Sequence, residues 1–315
     1  MQINILFLGG AKRVSVANHF KRTAVEMGHE INIFSYELDN KVPIACVGTV
    51  IIGKKWKDED LLLDLKQQLE TYHINIVLAF VDPAIYVISE LQKLCPDVFI
   101  PVSDSNLCNI MFDKVLSANW FKENNISQPH FYTDLSSIKY PVILKPRTGS
   151  ASKGIVVCNS KSELPTVDYS QYLISEYVSD HTEYSVDCYV SRDGEITSVV
   201  PRLRLETAGG EAVRSKAVKD IHIIEESTKI LKAGKFRGPV TIQFIKDNVS
   251  GRIYVMEINP RLGGGVVTSI GAGSGIIRMI LDEYLGKKIS PVTNWRDNTL
   301  MVRYFKEVIF YADNH

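Results

Sequence analysis

An acid, an amide and a cation stand at alternate positions in the segment RIYVMEINPRLGGG, residues 252–265: Glu257, Asn259 and Arg261. Gln243 precedes Glu257 by 14 positions (257 − 243), so a hairpin turn midway between them would place these two side chains opposite each other. Carboxylate and amide oxygens suit Mg²⁺, a hard cation that takes its remaining ligands from water and phosphates. Arg261 could hold a phosphate or a developing oxyanion. The alternative is a surface strand that ends in an Arg–Glu pair.

The alternation of faces along this strand predicts which of its side chains reach a cleft. Val255 is expected to share a face with Glu257 and Asn259, whereas Met256 and Ile258 are expected to point into the core. The three glycines that end the segment would leave room for the backbone to approach a substrate.

A glycine-containing loop separates two short apolar runs in VILKPRTGSASKGIVV, residues 142–157. Lys145 ends the first run and Gly154 begins the second, so the loop joins strand to strand and is not a Walker A sequence. Its backbone N–H groups, hydroxyls and cations could fold over phosphates, which the ammonium of Lys145 could also reach. A solvated hairpin loop with an exposed lysine is the alternative.

Three further charged residues stand where they would suit a nucleotide. Lys114 falls in the first turn of a predicted helix, where the macrodipole disfavours a cation, and this hints at another role. Glu176, Tyr177 and Val178 end a strand whose backbone could recognise adenine, and Glu183 could accept hydrogen bonds from ribose hydroxyls. Each charge also has a simpler explanation as an exposed surface residue.

The order of these residues along the chain resembles that of the ATP-grasp superfamily, whose members sandwich ATP between two α+β subdomains. The resemblance rests on Lys114, on Lys145 with its glycine loop, on EYV with Glu183, and on Gln243 followed by E-x-N-P-R. It covers the whole chain and is greatest toward one synthetase unit of the carbamoyl phosphate synthase large subunit. D-alanine–D-alanine ligase and biotin carboxylase share most of the pattern.

The resemblance implies a role for each matching residue. The residues implied to bind ATP are Lys114, Lys145, Gly149, Ser150, Lys153, Gly154, Glu176, Tyr177, Val178 and Glu183. Those implied to hold one or two Mg²⁺ ions, with Mn²⁺ as an alternative, are Gln243, Glu257 and Asn259. Arg261 and Lys145 are implied to act in catalysis, and the loop from Thr148 to Lys153 would be a mobile lid over the γ-phosphate.

Candidate substrate residues come from the segment PRLRLETAGGEAVRSKAVKD, residues 201–220. Arg202 and Arg204 are expected to share a strand face, and Arg214 follows a Gly-Gly loop. Arginines beside the cleft would suit a carboxylate substrate, because a guanidinium binds a carboxylate through two hydrogen bonds. A charged face toward solvent is the alternative.

The N-terminal third of the chain predicts a small doubly wound domain. Apolar strands alternate with helices over residues 1–102, which is typical of a Rossmann-like parallel sheet covered on both faces, and the last strand is expected at 98–102. The segment GGAKRVS at residues 9–15 is not a dinucleotide fingerprint. It is either a tight strand-to-helix turn or a turn that contacts a substrate.

The rest of the chain predicts antiparallel structure from hairpin signals such as Asp193-Gly194. The resemblance implies that residues 103–315 form an ATP-grasp fold of two α+β subdomains. A lid subdomain is expected at about 129–178 and a C-terminal subdomain at about 179–315. The tail TLMVRYFKEVIFY, residues 299–311, is expected to form one last strand.

The composition excludes several classes of partner. The 315 residues hold 36 Lys+Arg against 36 Asp+Glu, so nothing indicates binding to nucleic acid or to a membrane surface. The first apolar run is too short for a secretory signal, and no segment approaches the length of a membrane span. The five cysteines show no C-x-x-C spacing, which favours a reduced cytoplasmic protein.

The function that the resemblance implies is ATP-dependent amide formation from a small-molecule carboxylate and an amine, through an acyl phosphate. Two alternatives remain open. One is a carbamoyl-phosphate-synthase-like subunit that phosphorylates bicarbonate or carbamate with partner chains, although this chain holds one synthetase unit where that enzyme has two. The other is a nucleotide-binding module without ligase activity. Proteins of this family often dimerise, so a homodimer is a further expectation.

Overall fold

The computed structural model describes residues 1–149 and 153–311, which form one parallel sheet followed by two antiparallel sheets. The first sheet has four parallel strands in the order β3-β2-β1-β4. Its strands are β1 (Gln2–Leu8), β2 (Glu30–Glu37), β3 (Thr49–Ile52) and β4 (Ile76–Ala79), and its helices are α1 (Val14–Glu26), α2 (Leu61–Thr71) and α3 (Asp82–Leu94). The predicted Rossmann-like unit is therefore confirmed.

Two details of this unit differ from the sequence prediction. Residues 98–102 do not form a strand; Phe99 makes a single parallel bridge to Ile76. Pro101 lacks the N–H that would continue such a ladder, which explains the interruption. The short strand β3 was not predicted, because its apolar run is only three residues long, Val50 to Ile52.

The parallel sheet is buried on both faces, but the second cover comes from far along the chain. Ile3, Ile5 and Phe7 of β1 pack with α1 and with helix α8 (Ile276–Tyr284) in one hydrophobic cluster. The other face of β1 packs with α2 and α3. The N-terminal unit and the C-terminal end of the chain therefore share a core.

Two helices lead from the parallel unit into the second sheet: α4 (Ser105–Phe112) and α5 (Lys114–Glu123). Asp104 caps α4 and Asp113 caps α5, each through its carboxylate. The second sheet has four strands in the order β5-β8-β6-β7. They are β5 (Phe131–Tyr132), β6 (Val142–Pro146), β7 (Val156–Cys158) and β8 (Tyr172–Glu176), all antiparallel as predicted.

The third sheet has six strands in the order β13-β12-β9-β10-β11-β14. They are β9 (His181–Val190), β10 (Ile196–Ala208), β11 (Glu211–Ala217), β12 (Gly238–Asp247), β13 (Ile253–Asn259) and β14 (Leu300–Val302). Helix α6 (Ile221–Gly234) packs on one face, and α7 (Val266–Ala272) and α8 pack toward the other. The two hairpins predicted around Asp193-Gly194 and residues 247–251 are present.

The C-terminal tail forms less strand than predicted. Only Leu300–Val302 pair with the sheet, along three residues of β11, and residues 303–311 continue without regular structure. Phe305 is 99% exposed, so this end of the tail lacks the burial that would hold a strand in place. Among the described helices, none combines the length and the hydrophobicity needed to cross a membrane.

Candidate active site

The three candidate residues of the β12–β13 hairpin lie on one face of the six-stranded sheet. Gln243 pairs directly with Glu257, and Thr241 pairs with Asn259. Cross-strand partners share a face, so Gln243, Glu257 and Asn259 point the same way. The Nδ2 of Asn259 donates to Oε1 of Glu257 at 2.5 Å, which leaves the amide oxygen of Asn259 free to accept or to bind a cation. The predicted placement of Gln243 opposite Glu257 is therefore confirmed.

A β-bulge corrects the prediction for the neighbouring residues. The register shifts between Gln243 and Phe244, because Phe244 pairs with Val255 and leaves Met256 as the extra residue on β13. Val255 is consequently 2% exposed inside the hydrophobic core and does not line the cleft, whereas Met256 is only half-buried. The prediction that Val255 shares the face of Glu257 was wrong, because one inserted residue reverses the alternation.

Lys145 comes to this sheet from the second sheet, at the end of β6. Burial lowers the pKa of its ammonium to about 8, while nearby Glu257 and Glu183 raise that pKa and Lys114 lowers it. Lys145 therefore lies near enough to Lys114 of α5 and to Glu183 and Glu257 of the third sheet for each of their charges to shift its pKa. Such an arrangement resembles the inside of a cleft for a phosphate-bearing ligand.

Lys114 reaches the glycine loop, although it begins a helix. It is the first residue of α5, and its Nζ donates to the carbonyl of Gly149 at 3.0 Å. Asp113 offsets the unfavourable position by capping the helix and by accepting from Arg147 at 2.6 and 2.8 Å. Ser150 lies outside the described residues.

The remaining loop candidates lie on either side of residues 150–152, which are outside the described part of the chain. Gly149 has φ +120° and Gly154 has φ +72°, values that favour glycine because side chains with a Cβ rarely adopt them. Lys153 is exposed. These residues are adjacent in the chain to the region where Lys145 and Lys114 converge.

Glu176 and its neighbours lie apart from Lys145. Glu176 of β8 pairs with Val142 of β6. Because side chains alternate along β6, Glu176 lies on the opposite face of the second sheet from Lys145. Its exposed side chain borders a groove of about 980 Å³. The N–H of Tyr177 donates to the carbonyl of Pro141 at 3.1 Å, and the carbonyl of Val178 lies 2.7 Å from Nδ1 of His181. The structure therefore does not bring the carboxylate of Glu176 together with Lys145.

Glu183 and Arg204 form an ion pair at the edge of the same sheet face. The Nε of Arg204 lies 2.9 Å from Oε2 of Glu183, whose side chain remains 47% exposed. Arg204 also donates to the carbonyl of Gly210 at 3.2 Å. Burial lowers the pKa of the Arg204 guanidinium, while Glu183 raises it. The other oxygen of Glu183, Oε1, lies 3.8 Å from Nε2 of His181.

The other two candidate arginines are placed differently from Arg204. Arg202 is 3% exposed and pairs with Asp187 at 2.8 Å, so its guanidinium is enclosed in the sheet face. Asp187 also accepts from Ser269 of α7 at 2.6 Å. Arg214 is exposed and, by alternation along β11, lies on the opposite face from the partner of Arg204. These placements favour a positioning role for Arg202.

Arg261 points toward the parallel unit. Its Nε donates to Oδ1 of Asp82 at 2.7 Å, its Nη2 donates to the same oxygen, and its Nη1 donates to the carbonyl of Leu262 at 3.1 Å. Asp82 is 7% exposed at the start of α3. Neither Asp82 nor Asp187 was predicted as a site residue from the sequence. An acid beside an apolar run is a signal for each, but it does not indicate which arginine each acid pairs with.

The comparisons with known proteins agree with this architecture. Residues 168–308 match a family described as ATP-grasp in the biosynthetic pathway with Ter operon. The carbamoyl phosphate synthase large chain of Thermoanaerobacter sp. is 27% identical over 216 residues, covering 58% of this chain and 19% of that protein. The D-alanine–D-alanine ligase of Rickettsia felis is 23% identical over 248 residues, covering 63% of this chain and 77% of that protein.

Among solved structures, the biotin carboxylase–β,γ-ATP complex from Campylobacter jejuni superposes with a TM-score of 0.75 at 17% identity. The superposition covers 94% of this chain and 74% of the biotin carboxylase chain, so the similarity extends to the parallel unit. The chain spans about a fifth of the length of the carbamoyl phosphate synthase large chain that it matches. The family match over residues 168–308 and the shared fold show that this chain is similar to proteins of the ATP-grasp superfamily.

Proposed function

We propose that the chain is an ATP-dependent carboxylate–amine ligase that forms an amide through an acyl phosphate. The observation that carries this proposal is the convergence of Lys145 and Lys114 with Glu183 and Glu257, since oppositely charged groups from two sheets meet there. Such a set suits a nucleotide triphosphate, whose phosphates need cations and whose metal needs oxygen ligands. The relative named D-alanine–D-alanine ligase supports the same reaction class.

The donor chemistry of the β12–β13 hairpin fits Mg²⁺. Gln243, Glu257 and Asn259 offer oxygen ligands on one face, and the hydrogen bond from Nδ2 of Asn259 to Glu257 leaves the amide oxygen of Asn259 for a metal. These residues would hold one or two Mg²⁺ ions against the phosphates. When bound, the metal would neutralise charge on the transferring phosphoryl group.

The proposed chemistry proceeds in two steps. A carboxylate oxygen attacks the γ-phosphorus of ATP, and the bond from that phosphorus to the ADP oxygen breaks, giving an acyl phosphate and ADP. The amine nitrogen then attacks the acyl carbon, the C–O bond to phosphate breaks, and the nitrogen loses a proton. Lys145 and Lys114 would orient the phosphates, and Arg261 would stabilise the developing oxyanion.

The same proposal covers the nucleoside end of the ligand. Glu183 would accept from ribose hydroxyls through Oε1, the oxygen that faces His181, and the backbone near Val178 would contact adenine. Glu176 would accept from the adenine amino group after a change of side-chain direction. Gly149 and Lys153 would lie beside the γ-phosphate, and the predicted lid between them, residues 150–152, lies outside the described residues.

A second candidate function is phosphorylation of bicarbonate or carbamate together with partner chains. The specific observation in its favour is the 27% identity to a carbamoyl phosphate synthase large chain. The two candidates differ in their substrates. Turnover that requires bicarbonate and ammonia would favour the second, and turnover with an organic acid and an amine would favour the first.

The experiment is a substrate panel with Mg·ATP, in which ADP release is measured for pairs of organic acids and amines. The ligase proposal expects ADP release that depends on both an acid and an amine, with one amide formed per ADP. Lys145→Ala should abolish that release. Glu195→Gln, a change at an exposed turn, serves as the control variant and should leave it intact. A cytoplasmic location and a homodimer complete the proposal, and light scattering would measure the oligomeric state.

A further inference from the structure

One glutamate at the boundary between the parallel unit and the six-stranded sheet is shared by two arginines. Arg13 donates from Nη2 to Oε1 of Glu211 at 2.7 Å and from Nη1 to Oε2 at 3.2 Å. Arg303, which follows β14, places its Nη1 3.4 Å from Oε2 of the same carboxylate. These three residues come from the glycine turn after β1, from β11 and from the tail. We call them the Arg13–Glu211–Arg303 cluster.

This cluster has more positive charge than its own acid neutralises. Two guanidiniums share one carboxylate, and the nearby Arg202 is already paired with Asp187. Burial, Arg13 and Arg202 all lower the pKa of the Arg303 guanidinium, which shows that these cations lie near one another. One guanidinium charge therefore lacks a counter-charge inside the cluster.

Arg13 supplies a second, independent observation. Arg13 is only 8% exposed, and its Nε has no hydrogen-bond partner within residues 1–149 and 153–311. A buried N–H donor without a partner is costly, so a missing acceptor is expected beside it. Helix α1 begins at the next residue with no capping side chain and no acid in its first turn, which adds further positive potential.

The cluster lies beside the proposed reacting centre. The Nη2 of Arg303 donates to the carbonyl of Gly264, and a Cβ at Gly264 would lie 3.1 Å from the Glu211 carboxyl carbon. Gly264 is three residues after Arg261, a distance of at most about 10 Å along an extended chain. The side chains of Glu211 and Arg303 are 35% and 31% exposed, so a solute can reach them.

We propose that Arg13 and Arg303 bind a second anionic group of the acid substrate, either a carboxylate or a phosphate, while the first carboxylate is activated near Arg261. This inference rests on the proposed ligase function and narrows its substrate to acids with two negative groups. Glu211 pairs with both guanidiniums in the absence of substrate and neutralises part of their charge. The orphaned Nε of Arg13 and the uncompensated charge are the features that the second group would satisfy.

The test is isothermal titration of the full chain with Mg·ADP, at constant ionic strength, using three small probes. Succinate represents a dicarboxylate, phosphoglycolate represents a phosphorylated acid, and butyrate represents a monocarboxylate. We expect at least one dianionic probe to bind about tenfold or more tightly than butyrate. The stronger of the two identifies the second group as carboxylate or phosphate. Equal binding of all three probes would overturn the proposal.

Substitutions of the arginines and of Glu211 should change the affinity for the probe in opposite directions. Arg303→Gln and Arg13→Gln should each weaken the preferred probe by about tenfold, and Arg303→Lys should retain part of the affinity. Glu211→Gln should strengthen it, because it removes the only carboxylate in the cluster. A purely structural cluster would instead lose affinity when Glu211 is changed, and that result would contradict the proposal. Mg·ATP affinity, measured on the same variants, separates a failed ligase proposal from a failed anion site.

Discussion

Arg261 and Asp82 join the two halves of this molecule through an ion pair 179 residues apart in sequence. The carboxylate accepts from Nε at 2.7 Å and also from Nη2, and the two side chains are 13% and 9% exposed. The residue proposed to stabilise the transferring group is thus oriented by the N-terminal unit.

Replacing Asp82 with Asn should separate stability from nucleotide binding. The amide cannot form the charged pair, so the free energy of unfolding is expected to fall by about 2 kcal/mol. Asp97→Asn, at an exposed position of the same unit, is the control. Urea denaturation measures the first effect, and calorimetry should show an unchanged Mg·ATP affinity. Equal unfolding free energies for the two variants would contradict the role given to Asp82.

Lys145 should make nucleotide binding depend on pH. Its pKa of about 8 lies below the ordinary value because burial disfavours the ammonium, and Lys114 adds to this while Glu257 and Glu183 oppose it. Phosphates bound beside it would favour the charged form and raise that pKa. Mg·ATP affinity is therefore expected to be constant below about pH 8 and to fall above it.

Calorimetry in two buffers of different ionisation enthalpy measures the linked proton. At a pH just above 8, wild-type binding should take up a fraction of a proton, because a neutral Lys145 becomes charged. Lys145→Arg is the control, since a guanidinium stays protonated throughout this range and should take up none. Equal proton uptake by the two proteins would assign the effect to another group.

The bulge at Met256 predicts that a polar substitution at Val255 lowers the free energy of unfolding more than one at Met256. Strict alternation along β13 would predict the opposite order. Val255→Thr keeps the side-chain volume but buries a hydroxyl in the core, so it should lower the free energy of unfolding by about 1–3 kcal/mol. Met256→Thr, at the half-buried bulge position, should cost less. Urea denaturation of both proteins compares them. A larger loss in the Met256 variant would mean that the register was assigned incorrectly.

The sequence could predict the pairing of Gln243 with Glu257 because a hairpin folds symmetrically about its turn. It could not predict the bulge, since Met256 is as apolar as the core residues beside it and hydrophobic pattern alone does not distinguish them. Strand 98–102 was overpredicted for a similar reason, because its apolar residues obscured the effect of Pro101.

Contacts between residues that are far apart in the chain could not be predicted from the sequence. The partners of Arg261 and Arg202 lie on other elements. Nothing in the segments around the two arginines indicates that they pair with Asp82 and Asp187. The glycine turn after β1 left two explanations open, a structural turn or a substrate contact. The position of Arg13 in that turn, against Glu211, now favours the second as the basis of a proposal.

The most direct test of the proposed nucleotide site is titration of Mg·ATP into the wild-type chain, the Glu257→Gln variant and the Glu195→Gln control. Glu257 offers the only carboxylate among the proposed metal ligands, so its loss should weaken Mg·ATP binding by more than about tenfold. ATP binding without Mg²⁺ should change little, and the control should match the wild type. A wild-type chain that does not bind Mg·ATP, or a Glu257→Gln variant that binds it equally well, would contradict the account.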